Sequence, residues 1–173
     1  MDIIDRIVHQ WATEKPELNT LPMSIFGRIL RLTKHLEQEI TSIHKRYDLK
    51  MGEFDVLATL LRSGAPYQLT PSALISTAML TSGAMTNRLD KLEQKNLIVR
   101  IHSHVDRRSI SVKLTDQGYQ LINQALAEHV AAQERLMNTL NQTEQLQLSA
   151  LLRSWLSSFN SEPPSTPSNR DIE

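Results

Sequence analysis

Apolar residues recur along the first part of the chain with a helical period. Ile3, Ile4, Ile7, Val8 and Trp11 are spaced by three or four, so residues 3–13 predict an amphipathic helix. The segment EKPELNTLP interrupts the pattern, and Pro22 suits the first turn of a new helix. From there Ile25, Ile29, Leu32, Leu36, Ile40, Ile43 and Tyr47 continue the spacing over about seven turns. A helix of that length exceeds the needs of a small isolated domain. It is expected to pack against another chain or a distant terminal helix.

The segment MGEFDVLATLLRSG predicts a shorter helix stopped by Gly64, and APYQ a loop. In LTPSALISTAM, Thr70 is placed to cap a helix whose first residue is Pro71. After a break at Leu80 to Ser82, TSGAMTNRLDKLEQKNL predicts a third helix. Its inward face is Met85, Leu89, Leu92 and Leu97, and Asn96 marks its end. The period then changes to two: LIVRI and SISVKLT read as two strands joined by HSHVDRR. Thr115 and Asp116 open a long helix to about residue 139. Asn141 and Glu144 form a capping-box pattern before a last helix carrying Leu148, Leu151, Leu152, Trp155 and Phe159. The proline-containing polar segment NSEPPSTPSNRDIE is expected to be a disordered tail.

The order helix, short helix, tight turn, helix, hairpin is that of a winged helix-turn-helix. The fold class expected is mainly α with a small β-hairpin wing (α+β). N-terminal helices over 1–47 would contribute to dimerisation, with a DNA-binding domain over 48–115. C-terminal dimerisation helices would follow over 116–160, and a tail over 161–173. In such a motif the N-terminal residues of the second helix meet base edges in the major groove. Those residues are Thr81, Ser82, Gly83, Thr86, Asn87 and Arg88. Arg107 and Arg108 at the wing tip are placed to meet DNA backbone or the minor groove, where negative potential favours arginine. Asp106 cannot bind phosphate and is expected to hold one of them in a forked ion pair.

Composition sharpens this picture in a few places. The 173 residues contain no cysteine, which removes disulfides and thiolate metal sites. The chain's start does not resemble a signal peptide, and no run approaches the roughly 18 apolar residues of a membrane span, so a soluble cytoplasmic protein is expected. Formal net charge is zero, but residues 81–113 hold seven Lys/Arg against three acids, so the basic excess is local. His102 and His104 share a strand face without carboxylate or cysteine partners, and His35, His44 and His129 form no i,i+4 pair. No metal and no cofactor are expected. No P-loop, Rossmann glycine pattern, nucleophile elbow or zinc helix occurs, so no enzyme is expected either. A helical scaffold used only for protein contacts is the alternative, and it would have no use for Arg107 and Arg108.

The stretch LTPSALISTAMLTSGAMTNRLDKLEQKNLIVRIHSHVDRRSISVKLTDQG resembles the DNA-binding core of MarR-type transcriptional regulators, with DRRSISVKLTDQG its most specific part. The resemblance extends over about residues 3–159. It implies a winged-helix homodimer that meets a pseudo-palindromic operator with two recognition helices and acts as a repressor. QWATEKPELNTLPM and EFDVLATLLRSGAPYQLTPS are similar to the PecS-type, urate-responsive branch. That likeness implies a site for a small aromatic anion, with Trp11, Asp55, Arg62 and Arg100 at the matching places. The chemistry of these residues is consistent with such a site. Asp55 and Arg62 are seven apart and share a helix face, arginine pairs with planar anions, and tryptophan stacks on rings. Urate and a phenolic carboxylate are both candidates.

Overall fold

The computed structural model describes residues 1–77, 85–102 and 110–159. In chain order the elements are α1 (Ile3–Glu14), α2 (Leu21–Arg46), α3 (Met51–Arg62), β1 (Gln68–Leu69), α4 (Pro71–Thr77), α5 (Met85–Gln94), β2 (Ile98–His102), β3 (Ile110–Leu114), α6 (Asp116–Met137) and α7 (Gln142–Ser157). The described residues fall into two compact units, divided between Gln133 and Glu134.

Local chemistry sets the ends of these helices. Asp2 and Asp5 form a capping box at α1, each carboxylate accepting the other's backbone N–H at 2.8 and 2.9 Å. The Thr70 hydroxyl accepts the Ala73 N–H at 3.2 Å, and Pro71 opens α4 as expected. Gly64, after the end of α3, has φ +79°, a conformation that costs glycine little. Asn96 after α5 also lies in the left-handed region, at φ +56°. Asn141 and Glu144 make the expected capping box at α7.

The sheet departs from the expected hairpin by one strand. β2 and β3 pair antiparallel from Ile98↔Leu114 to His102↔Ile110, and β1 adds to the far side of β3 through Gln68↔Lys113 and Leu69↔Val112. The strand order is β1-β3-β2. The pattern predicts a loop throughout APYQ, yet Gln68 belongs to a strand. Two residues are too few to display a period, and only the exposed edge of β3 gives them a partner.

One hydrophobic core gathers α3, α4, α5, the sheet and the first part of α6. Leu57, Leu60, Leu74, Leu92, Ile98, Val112 and Ile122 are fully enclosed. Gly118 lets α6 lie directly on the end of α5, because a Cβ there would overlap the Leu97 carbonyl. Thr115 locks the same junction: its hydroxyl donates to the Asn96 carbonyl at 2.7 Å and accepts the Gly118 N–H at 2.9 Å. α2 meets the core only near its C-terminal end, where Ile40, Ile43 and His44 are buried. His44 stacks on Phe54 at 4.0 Å between ring centroids, and its Nε2 lies 3.1 Å from His129 Nδ1 on α6. Burial, with the nearby His129 ring, depresses the His44 pKa to about 4. α1 packs on α2, where Arg28 bridges Asp2 (2.9 Å) and Asp5.

Within the second unit, α7 is amphipathic but buries no residue. Among the described residues no helix is long and apolar enough to cross a membrane.

Candidate nucleic-acid interface and anion pocket

α5 presents two faces. Met85, Leu89 and Leu92 point into the core, whereas Thr86 and Asn87 are exposed. This is the arrangement a recognition helix needs: an apolar stripe holds it, and polar residues remain free for base edges. Thr81, Ser82 and Gly83, and the turn between α4 and α5, lie outside the described residues. The wing tip with Asp106, Arg107, Arg108 and His104 also lies outside them, while the paired strands leading to it are described.

Arg88 is placed differently from its neighbours. It is half-buried, and its guanidinium lies across Gly52 on α3 so closely that a Cβ on Gly52 would overlap it. Its Nη1 is enclosed and has no hydrogen-bond partner among the described residues. It also acts on Asp55, one turn along α3. Burial pushes the Asp55 carboxyl above its ordinary range, while the charges of Arg88 and Arg62 pull it back. Asp55 is therefore a partly desolvated carboxyl in the field of two arginines, one from its own helix and one from α5.

The four residues expected to hold an anion are distributed as follows. Asp55 and Arg62 share a face of α3, as their spacing required. Arg62 ties the end of α3 to the end of α4, donating to Thr59 Oγ1 at 3.2 Å and to the Thr77 carbonyl. Arg100, on β2, is held by α5: Nη2 contacts Asp90 Oδ1 at 2.6 Å and Nη1 contacts Glu93 Oε2 at 2.5 Å. Its backbone N–H also donates to Glu93 Oε1 at 3.2 Å. These carboxylates raise the Arg100 pKa, Asp90 acting most strongly. Arg100 thus fixes the first wing strand to the recognition helix. Trp11 stands on α1 with 40% of its surface exposed.

Sequence reasoning places Arg88 on the DNA side alone and misses its position beside Asp55. The two residues are far apart in the chain, and the only local cue is the glycine at 52. Nothing about a helical glycine announces what will lie over it. The His44–His129 pair is equally invisible in the sequence, because its members belong to different helices. Among the described residues, no group of three or more His, Asp or Glu side chains is placed to hold a metal ion.

Residues 49–110 match the MarR family model. Over 149 residues the chain is 37% identical to the HTH-type transcriptional regulator PecS of Dickeya dadantii, covering 86% of this chain and 90% of that protein. The chain belongs to the MarR family. It is a DNA-binding transcriptional regulator with a winged helix-turn-helix and not an enzyme. The same fold occurs in a mutant MarR from E. coli complexed with operator DNA, with TM-score 0.67 and 23% identity over 80% of this chain and 99% of that one. It occurs also in BpsR of Bordetella bronchiseptica, whose DNA binding is regulated by 6-hydroxynicotinic acid, with TM-score 0.66 and 20% identity over 75% and 91% of the two chains. In MarR-family terms, α4 and α5 are the helix-turn-helix and β2–β3 the wing.

Proposed function

We propose that the protein is a homodimeric repressor that binds a pseudo-palindromic operator and is released by a small aromatic anion such as urate or a phenolic carboxylate. Thr81, Ser82, Gly83, Thr86 and Asn87 read the major groove, with Arg88 at the edge of that set. Arg107 and Arg108 anchor the wings, and Asp106 holds their geometry. The helices over 1–47 and 116–160 join the two copies, so the recognition helices meet half-sites about one helical turn apart.

The observation that carries the effector reading is Asp55, a half-buried carboxyl in the field of Arg62 of its own helix and of Arg88 of the recognition helix. An anion entering there competes with Asp55 for Arg88 and alters how α5 is held on α3. Trp11 supplies a ring to stack on, and Arg62 a second cation. Arg100 keeps the wing in step with α5 through Asp90 and Glu93. To act as an inducer, the anion must bind the DNA-incompetent form more tightly than the competent one. BpsR, regulated by 6-hydroxynicotinic acid, offers a precedent for a small aromatic acid on this fold.

A thermal-shift titration with urate and with salicylate tests the pocket. A saturable rise in Tm with either, abolished in Arg88→Gln and reduced in Trp11→Phe and Arg62→Ala, is the expected result. Gel shifts on the protein's own promoter should then show release by the same compound. A full response in all three variants would remove the pocket, and no shift with either acid would remove both named effectors.

A further inference from the structure

We infer that the cleft between the start of α3 and the flank of α5 binds a phosphate group through Lys50, Lys91 and Arg88. The cleft has a volume of about 310 Å³ and is lined by Lys50, Gly52, Glu53, Asn87, Arg88 and Lys91 among others. Three of these side chains are cations. The one acid, Glu53, is only 2% exposed and already engaged: its Oε2 accepts Lys95 Nζ at 3.0 Å and the Lys50 backbone N–H at 3.1 Å. Its charge is therefore answered by a fourth cation, Lys95. Lys50 and Lys91 have no ion pair among the described residues. Arg88 brings an enclosed Nη1 without a hydrogen-bond partner.

The chemistry of this group selects its ligand. Three cations around one cleft, with Arg88 Nη1 still lacking a partner, call for an anion with several acceptor oxygens. A planar carboxylate offers two oxygens and one charge. A phosphate monoester at neutral pH offers three terminal oxygens and about 1.5 to 2 charges, and the DNA backbone offers two terminal oxygens and one charge per phosphate, repeated along a polyanion. Lysines serve as point-charge phosphate binders that need no fixed fork geometry. Gly52 lets the Arg88 guanidinium lie against α3, an approach that a side chain there would block.

The cleft also has a position that matters to a DNA-binding protein. Asn87 and Lys91 are four residues apart and share a face of α5, so the cleft shares a wall with the recognition surface. The phosphate can accordingly belong to the DNA backbone or to a free phosphorylated molecule. Lys50 and Lys91 belong neither to the groove-reading residues and wing nor to the aromatic-anion pocket. Phosphate binding by these two lysines therefore stands even if no aromatic anion acts on the protein.

The experiment uses the full-length protein, the double variant Lys50→Ala/Lys91→Ala and the control Lys45→Ala, an exposed lysine on α2. One arm titrates inorganic phosphate by thermal shift at constant ionic strength, balanced with chloride. The other measures DNA affinity against salt on operator and unrelated duplexes. Loss of a phosphate-dependent Tm rise in the double variant, with DNA binding unchanged, assigns the cleft to free phosphorylated ligands. A fall in affinity on both duplexes, with the salt slope reduced by about 1 to 2, assigns it to DNA backbone. If both arms match wild type, or if Lys45→Ala behaves like the double variant, the inference is overturned. A urate titration of the same proteins reads the aromatic-anion pocket separately.

Discussion

Leu57 of α3 and Leu151 of α7 are both leucines on amphipathic helices, yet the first is 0% exposed and the second 70%. The contrast extends to the elements around them. The winged-helix lobe closes its core within one chain, drawing on α3, α4, α5, all three strands and α6. The terminal helices do not. Leu21, Phe26, Leu30 and Leu32 on α2 and Leu146, Leu151 and Leu156 on α7 each remain more than half exposed. Patches of that kind mark surfaces that meet another molecule. One part of the chain thus closes its own core, and the other leaves apolar surface open.

Deletion inside the lobe should have the largest effect. Leu57→Ala is expected to cost about 3 to 5 kcal/mol in denaturant unfolding, because the enclosed site keeps a cavity. A loss below about 1 kcal/mol would show that the lobe is loosely packed and would weaken the contrast.

Acid should come next. The unfolded His44 titrates near its ordinary value of 6.5, whereas the folded one titrates at about 4. Between those values the unfolded state binds a proton that the folded state refuses, so stability rises with pH across that window and is fully present above it. The loss on descending from pH 6.5 to 4 is about 3 kcal/mol for His44. His129, whose pKa is also lowered by burial, acts in the same direction. A marked reduction of this slope in His44→Phe, read by urea unfolding across the same pH range, checks the assignment, the remainder being that of His129.

Gly118→Ala should be smaller, about 1 to 3 kcal/mol, because the added methyl must push α6 away from the Leu97 carbonyl. It would also disturb the seat of α5, so operator affinity should fall along with Tm. An unchanged Tm would mean that the junction yields easily.

The smallest effect on the chain's own packing is expected for Leu151→Lys. A side chain 70% exposed contributes little there, within about 0.5 kcal/mol. If the open faces pair two copies, the same substitution should move the protein from dimer toward monomer in sedimentation. A variant that remains as dimeric as wild type would take α7 out of the proposed interface.

Much of this fold was legible because it is written in local periods. The switch from three-and-four spacing to alternation after Leu97 separates α5 from the wing. The cap residues Thr70, Asn96, Thr115 and Asn141 sit within a few residues of the helix ends they govern, which is why they could be read. The candidate site was less legible. Asp55 and Arg62 share a helix face by spacing alone, so their relation was readable. The charge of Arg88 acts on Asp55 only because α5 brings Arg88 over Gly52 of α3. Arg100 looked like a pocket residue, yet its guanidinium lies between Asp90 and Glu93, since strand β2 turns back along α5.

What the sequence by itself determined were the helices, their caps, the wing strands and the excess of apolar surface at both ends. All of these depend on residues within a turn or two of one another. What only the tertiary structure decided were the third strand, the His44–His129 stack, the inward placement of Arg88 and the cationic cleft beside it. Each of these depends on which distant elements come to lie together, and burial and electrostatic contact act through space whatever the separation along the chain.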